Sequence, residues 1–256
     1  METTIDDLLH GALKIHQPLI DHGPRVNIDT ILLAHYVRMK ARDRVLELGC
    51  AHGAISLILA LRRSLERQDD RGTIEGMDIQ EDLVALATRN AQINDLQRLV
   101  VFQTGDLRKS RDLFPPQSYD VLVMNPPYDE IGKSQRHSSD AMATALHGEQ
   151  CALRDVIAAA GYLLKNRGRF YLILRAKRLG ELFSLMNQHN VRPKRFRSVH
   201  PKPGYPASVV LVEGVRASGD GVIVEPPLFV QGEDGAYTAD LKAAYTLEKG
   251  SGTPCR

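Results

Sequence analysis

The chain has 256 residues, 43% hydrophobic and 25% charged, with no tryptophan and a formal net charge of only +2. That balance suits one large globular domain, or a domain with a small appendage, and its bulk charge does not announce a nucleic-acid binder. The longest apolar run, Ala54 to Leu61, falls short of the ~20 residues that a membrane helix needs. The opening METTIDDLLHGAL is acidic where a signal peptide is basic, and the three cysteines (Cys50, Cys151, Cys255) are scattered. A membrane span, export, a disulfide framework and a zinc site are therefore not expected, and a cytoplasmic location is.

The predicted elements start with a helical lead-in over residues 1–43, where Ile28, Ile31, Leu32, His35 and Tyr36 recur at helical spacing behind Asn27 or Asp29 as cap. A core over 44–215 follows. Arg44 to Leu48 reads as a buried strand, Ala54 to Leu65 as a helix, Thr73 to Met77 as a strand and Glu81 to about Asn94 as a helix. Leu99 to Phe102 is a third strand, and Tyr119 to Met124 a fourth that stops at Asn125-Pro126-Pro127. A polar stretch, Asp129 to His147, precedes a helix over Glu149 to Lys165, a strand from Gly168 to Leu174 and a helix from Leu179 to His189. Two strands, near Arg195–Val199 and Ser208–Gly214, lie too close together for a crossover helix and must run antiparallel. The expectation is an α/β fold with a seven-stranded, mostly parallel sheet, an antiparallel last strand, helices on both faces, and a C-terminal extension over 216–256.

The first strand opens into Glu47-Leu-Gly49-Cys50-Ala51-His-Gly53 and then a helix. Glycines there let the backbone turn tightly and approach a ligand. Glu47 suits an ammonium group and would repel a pyrophosphate. The pattern is similar to the acidic-x-Gly-x-Gly-x-Gly of methyltransferases, with Ala51 in place of the middle glycine. Asp78, ending the second strand, can accept two adjacent ribose hydroxyls, and Met77 or Ile79 can pack on an adenine face. Asp106, in Gly105-Asp106-Leu107 after the third strand, is placed to accept an adenine amine. A single acidic residue of this kind is as readily a helix cap. Three at successive strand ends point to S-adenosyl-L-methionine.

Asn125-Pro126-Pro127-Tyr128 suits a planar –NH2 group, whose lone pair is delocalised. Two prolines leave carbonyls as acceptors. The Asn125 side-chain oxygen and the Pro126 carbonyl can each accept one N–H, and Tyr128 can stack on a base. Catalysis then rests on alignment and electrostatics rather than a strong base, so His137 and His147 read as polar loop residues.

These residues resemble the motif of N6-adenine, N2-guanine and glutamine methyltransferases. Within that group the chain is most similar to the bacterial tRNA(Val) adenine N6-methyltransferase family, over nearly its whole length. Arg25-Val-Asn-Ile-Asp29-Thr-Ile-Leu-Leu33, Glu225-Pro-Pro-Leu-Phe-Val and Gly235-Ala-Tyr-Thr238 share in that likeness. The resemblance implies a Rossmann-like class I methyltransferase fold, a tRNA substrate, Asp29 near the cofactor and Asn125 on the target amine. Glutamine enzymes of this kind carry a separate helical N-terminal domain, for which the chain before Arg44 is too short. Guanine enzymes often carry a duplicated domain and DNA enzymes a target-recognition domain, and neither is visible; protein glutamine N5-methylation and rRNA guanine N2-methylation stand as the alternative readings. A non-catalytic RNA-binding protein is the reading from a different class, kept open by Ala51.

Basic residues cluster at Arg38–Arg44, Arg62–Arg67, Arg175–Arg178 and Arg192–Lys202. A charge run is usually a solvated face. For an RNA substrate, Lys177, Arg178, Lys194, Arg195 and Arg197 are expected to hold phosphates, and Lys133 and Arg136 belong to a candidate lid over Gly132–Ser139. A homodimer would enlarge that surface.

Overall fold

The computed structural model describes residues 1–20, 22–65, 72–126 and 152–246. Its centre is the strand β3 (Val45–Leu48), every residue of which is buried. Here β1 is Thr3–Leu8, β2 is Leu13–Pro18 and β4 is Ile74–Asp78. Next along the chain come β5 (Val100–Thr104), β6 (Tyr119–Met124), β7 (Leu164–Arg175), β8 (Val191–His200) and β9 (Val209–Arg216). β3 pairs in parallel with β4 on one side and β6 on the other, which is why it reads as a continuous apolar run. The sheet order is β8-β9-β7-β6-β3-β4-β5. β9 lies between β7 and β8 and is antiparallel to both. All seven strands expected for the core are present in this mostly parallel sheet.

Helices cover both faces. α1 (Ile28–Tyr36) and α2 (Ala54–Ser64) belong to one buried cluster with Ile31, Leu57, Val45 and Tyr171. Residues of α3 (Glu81–Ile93), such as Ala91, join the same cluster. The opposite face carries the short α4 (Ser110–Leu113), α5 (Leu153–Leu163) and α6 (Leu179–Gln188), with a core of Phe114, Leu122, Ile157, Phe170 and Leu182. Asn27 caps α1, accepting the Thr30 amide at 3.0 Å, and Glu81 and Asp82 place negative charge in the first turn of α3.

Three expectations need correction. Residues 1–43 are not helical throughout: β1 and β2 form an antiparallel hairpin ahead of α1. Side-chain amides hold it in place. Asn94 exchanges hydrogen bonds with the backbone of Lys14 at 2.8 and 2.6 Å, and Asn90 does the same with His16 at 2.7 and 2.8 Å. Two asparagines, one on α3 and one capping its C-terminus, thus imitate a neighbouring strand. Second, the helix expected to reach Lys165 ends at Leu163, and β7 starts at Leu164, which pairs with Tyr119 before a register shift. Arg167, with φ +67°, supplies the kink; the start of that helix, at Glu149, lies outside the described residues. Third, the C-terminal extension contributes to the sheet. β10 (Ile223–Val224) and β11 (Leu228–Phe229) both run parallel to β8, and α7 (Ala239–Ala244) follows.

Candidate active site

Parallel strands end together, so the residues after β3, β4, β5 and β6 share one edge of the sheet. Gly49, Ala51 and Gly53 follow β3 with φ of +68°, +47° and +87°. Gly49 and Cys50 donate their amides to the Met77 carbonyl of β4, at 2.8 and 3.0 Å, which folds the turn back over the neighbouring strand. Ala51 thus adopts the left-handed conformation that a glycine would hold, at a cost of about 1–2 kcal/mol for its Cβ. Its amide is clamped by Asp78, whose Oδ2 accepts at 2.8 Å while Oδ1 accepts the Gln80 amide at 3.0 Å. A carboxylate has about four lone-pair positions, so buried Asp78 keeps acceptor capacity beyond these two bonds. Ile79 beside it is 56% exposed, an apolar side chain left uncovered at the sheet edge.

Asn125 and Pro126 follow β6, the other neighbour of β3, and both are half-buried. A Cβ on Gly49 would lie 3.7 Å from the Met124 Cε, so the glycine turn and the end of β6 are in contact. Pro127 and Tyr128 lie outside the described residues, as do Lys133, Arg136, His137 and His147. Asp29 occupies the first turn of α1 and is half-buried.

A family model described as a methyltransferase domain matches residues 39–195. The chain belongs to this methyltransferase family. A tRNA1(Val) (adenine(37)-N6)-methyltransferase of Photorhabdus laumondii is 26% identical over 223 residues, covering 87% of each chain. The enzyme of the same name from Aeromonas hydrophila is 25% identical, covering 86% of this chain and 89% of its own. Among solved structures, a predicted O-methyltransferase from Agrobacterium tumefaciens superposes with a TM-score of 0.66 at 19% identity, over 85% of this chain and 97% of its own. That likeness concerns the fold.

The methyl donor of the family is S-adenosylmethionine, and the residues present fit it. The left-handed turn at 49–53 leaves a backbone approach open to the amino-acid end. Asp78 offers carboxylate oxygens for vicinal hydroxyls, and exposed Ile79 offers a surface for a flat base. Glu47 sits deeper than its expected role suggests. It is 3% exposed, and its Oε2 accepts from the Ser56 amide at 2.8 Å and from the Ser56 hydroxyl at 2.5 Å. Burial raises its pKa to about 8, against the pull of the Ser56 hydrogen bonds. Near neutral pH this carboxyl therefore holds a proton, and a cationic ammonium nearby would favour its ionised form.

Asp106 is engaged by its own turn. It caps the 3-10 turn Leu107–Lys109 by accepting the Arg108 amide at 2.9 Å, and the Arg108 guanidinium grips both its oxygens at 2.8–3.0 Å. Hydrogen bonding from Arg108 holds its pKa below the usual carboxylate value. An adenine amine would have to share these oxygens with Arg108. Leu107, half-buried, packs against the core beneath.

The residues expected to hold phosphates divide sharply. Lys177 and Arg178 sit in the turn after β7, on the same edge as Asn125, with Arg178 paired to Glu181 at 2.9 Å. Arg195 is 7% exposed, ion-paired to Glu213 at 2.9 Å and Glu225 at 2.8 Å, and stacked over the Tyr36 ring at 4.2 Å. Lys194 donates to the Asp220 carbonyl at 3.0 Å, and Arg197 to the Pro226 carbonyl at 2.9 Å and to Asp240. The expected phosphate role is corrected for Arg195, which has no face to offer, while Lys194 and Arg197 also tie down the C-terminal extension.

Two contributors escaped sequence reasoning. A Cβ on Gly53 would lie 2.7 Å from the Phe102 ring, and one on Gly76 would lie 2.5 Å from it, so the ring of Phe102 is what these glycines accommodate. His52 is 3% exposed, and neither ring nitrogen has a hydrogen-bond partner among the described residues. Burial, with a smaller contribution from the Arg25 charge, lowers its pKa to about 4. The His52 carbonyl accepts from Asn90 at 3.0 Å, so one asparagine joins the hairpin to the glycine turn.

Proposed function

We propose that this methyltransferase transfers the methyl group of S-adenosylmethionine to the exocyclic N6 amine of an adenine in tRNA. The observation that carries this reading is the pairing of two features at one sheet edge. Asn125 and Pro126 follow β6, and the left-handed glycine turn clamped by Asp78 follows the adjacent β3. The names of the relatives over most of both chains support the same substrate.

Bound there, the cofactor supplies a methyl carbon made electrophilic by a sulfonium sulfur. Gly49 to Gly53 would receive its amino-acid end, Asp78 its ribose hydroxyls, and Ile79 one face of its adenine. The Asn125 side-chain oxygen and the Pro126 carbonyl accept the two hydrogens of the target amine, drawing its lone pair out of conjugation. Tyr128 stacks on the target base. No strong base is needed, because the amine gives its proton to solvent water only after methylation has made the nitrogen cationic. Positioning carries most of the rate.

The test is transfer of labelled methyl to separate pools of tRNA, rRNA and protein. Label in tRNA that digests to N6-methyladenosine, and is absent with Asn125→Ala, is the expected result. Label at protein glutamine or at rRNA guanine would replace this reading with the corresponding N-methyltransferase.

A further inference from the structure

With Arg195 buried in ion pairs and Lys194 and Arg197 bonded to the C-terminal extension, further cations beside Lys177 and Arg178 can serve an RNA backbone. A groove between the 107–113 segment and α5 supplies them. Its upper part, about 100 Å³, is lined by Arg108, Ser110, Arg111, Asp155 and Ala158. Its lower part, about 410 Å³, is lined by Arg111, Gln117, Ala158, Tyr162, His189 and Arg216, among others. Arg111 and Ala158 line both, so the two adjoin.

Its direction follows from topology. α5 leads into β7, which is parallel to β6, so the helix runs opposite to the strands. Asp155 lies toward the edge that carries Asn125 and Asp106. Tyr162 lies at the far edge, where its carbonyl accepts the Gln117 amide at 2.9 Å ahead of β6. Asp155 and Tyr162 are seven positions apart, which is about 10 Å along the helix.

The lining is cationic. Arg108 stands at the upper end, paired with Asp106. Arg111 is exposed and lies over the Tyr162 ring at 4.7 Å. Arg216 is fixed by the Gly161 carbonyl at 2.8 Å and by Asn166. Asp155 is the one carboxylate among the lining residues, and it turns to the Ala152 amide at 3.1 Å as part of the helix cap. A guanidinium held over an aromatic ring is oriented in advance, so less freedom is lost when it meets a phosphate.

Resting on the RNA-methyltransferase reading above, we propose that this groove carries the phosphate backbone of the substrate RNA from the catalytic edge toward the opposite edge. Arg111 is its central contact. Arg216 holds the end of α5 and is a poor choice for mutation, whereas Arg111 can be changed at the surface.

The experiment measures Kd for unmodified tRNA over a salt series, with cofactor affinity as a control on the fold. Arg111→Glu is expected to weaken RNA binding about tenfold and to reduce the slope of log Kd against log salt by about 1. Arg111→Lys, which keeps the charge but loses the planar guanidinium, is expected to keep the wild-type slope and to lose less affinity than Arg111→Glu, and neither variant changes cofactor affinity. Wild-type Kd and slope in Arg111→Glu would overturn the groove while leaving the proposed reaction intact. Weakened binding with an unchanged slope would also overturn it. A wild-type protein without RNA affinity would overturn both.

Discussion

The glycine turn after β3 and the basic tract on β8 are both short segments that the sequence makes conspicuous, yet they behave oppositely. In the turn, function is written into local backbone. Gly49, Ala51 and Gly53 take positive φ, and Asp78 on the next strand closes the clamp. In the tract, five cations between Arg192 and Lys202 look like a phosphate-binding face, but Arg195 is buried between Glu213 and Glu225. The Arg62–Arg63 pair tells the same story. Arg62 donates to the Ala34 and Val37 carbonyls and Arg63 to those of Gly72 and Asp43. A spacing of glycines dictates its own geometry, whereas a run of cations takes its meaning from whatever segment folds against it.

The comparison breaks first at Arg195. Arg195→Ala should destabilise the protein by about 3–5 kcal/mol, because two carboxylates lose a buried partner; denaturant melts would register this. A variant as stable as wild type, with weakened RNA binding, would return the tract to the surface role. Next is Gly53→Ala, whose new methyl would meet both the Phe102 ring and Ala87 at a residue with φ +87°. A cost of about 2–4 kcal/mol is expected. Phe102→Leu in the same chain should recover part of it, since a smaller side chain relieves the clash but not the backbone strain.

Glu47 gives a pH signature. Its pKa is raised from 4.5 to about 8 in the fold, so between those values the folded chain holds a proton that the unfolded chain has lost. Its contribution makes stability fall as pH rises through that window, and Glu47→Gln should flatten the decline seen in Tm against pH. Cofactor binding in buffers of different ionisation enthalpy should release a proton near neutral pH. An equal heat in all buffers would mean that the ammonium does not act on Glu47. The smallest expected effect is Ala51→Gly. Relief of the left-handed alanine is offset by the greater freedom of glycine in the unfolded chain, leaving a change within about 1 kcal/mol.

The core strands were legible because parallel strands buried on both faces read as unbroken apolar runs, as Val45–Leu48 and Tyr119–Met124 do. The N-terminal hairpin was not, since Asn90 and Asn94 hold it from 74 and 80 residues away. Phe102 was missed because a glycine that makes room for a ring has the same sequence signature as one that makes room for a ligand. β10 and β11, at two residues each, are too short for any alternation to register. The carboxylates of Asp78 and Asp106 sit at the strand ends that their positions implied, but sequence could not reveal that Arg108 occupies one of them.

The central claim is that Asn125 acts on the amine while the glycine turn and Asp78 hold the donor. It is tested most directly by measuring turnover on tRNA and cofactor affinity together in Asn125→Ala. Turnover should fall by about a hundredfold or more, with cofactor Kd within about twofold of wild type. Undiminished turnover, or a loss explained wholly by cofactor Kd, would contradict that division of labour.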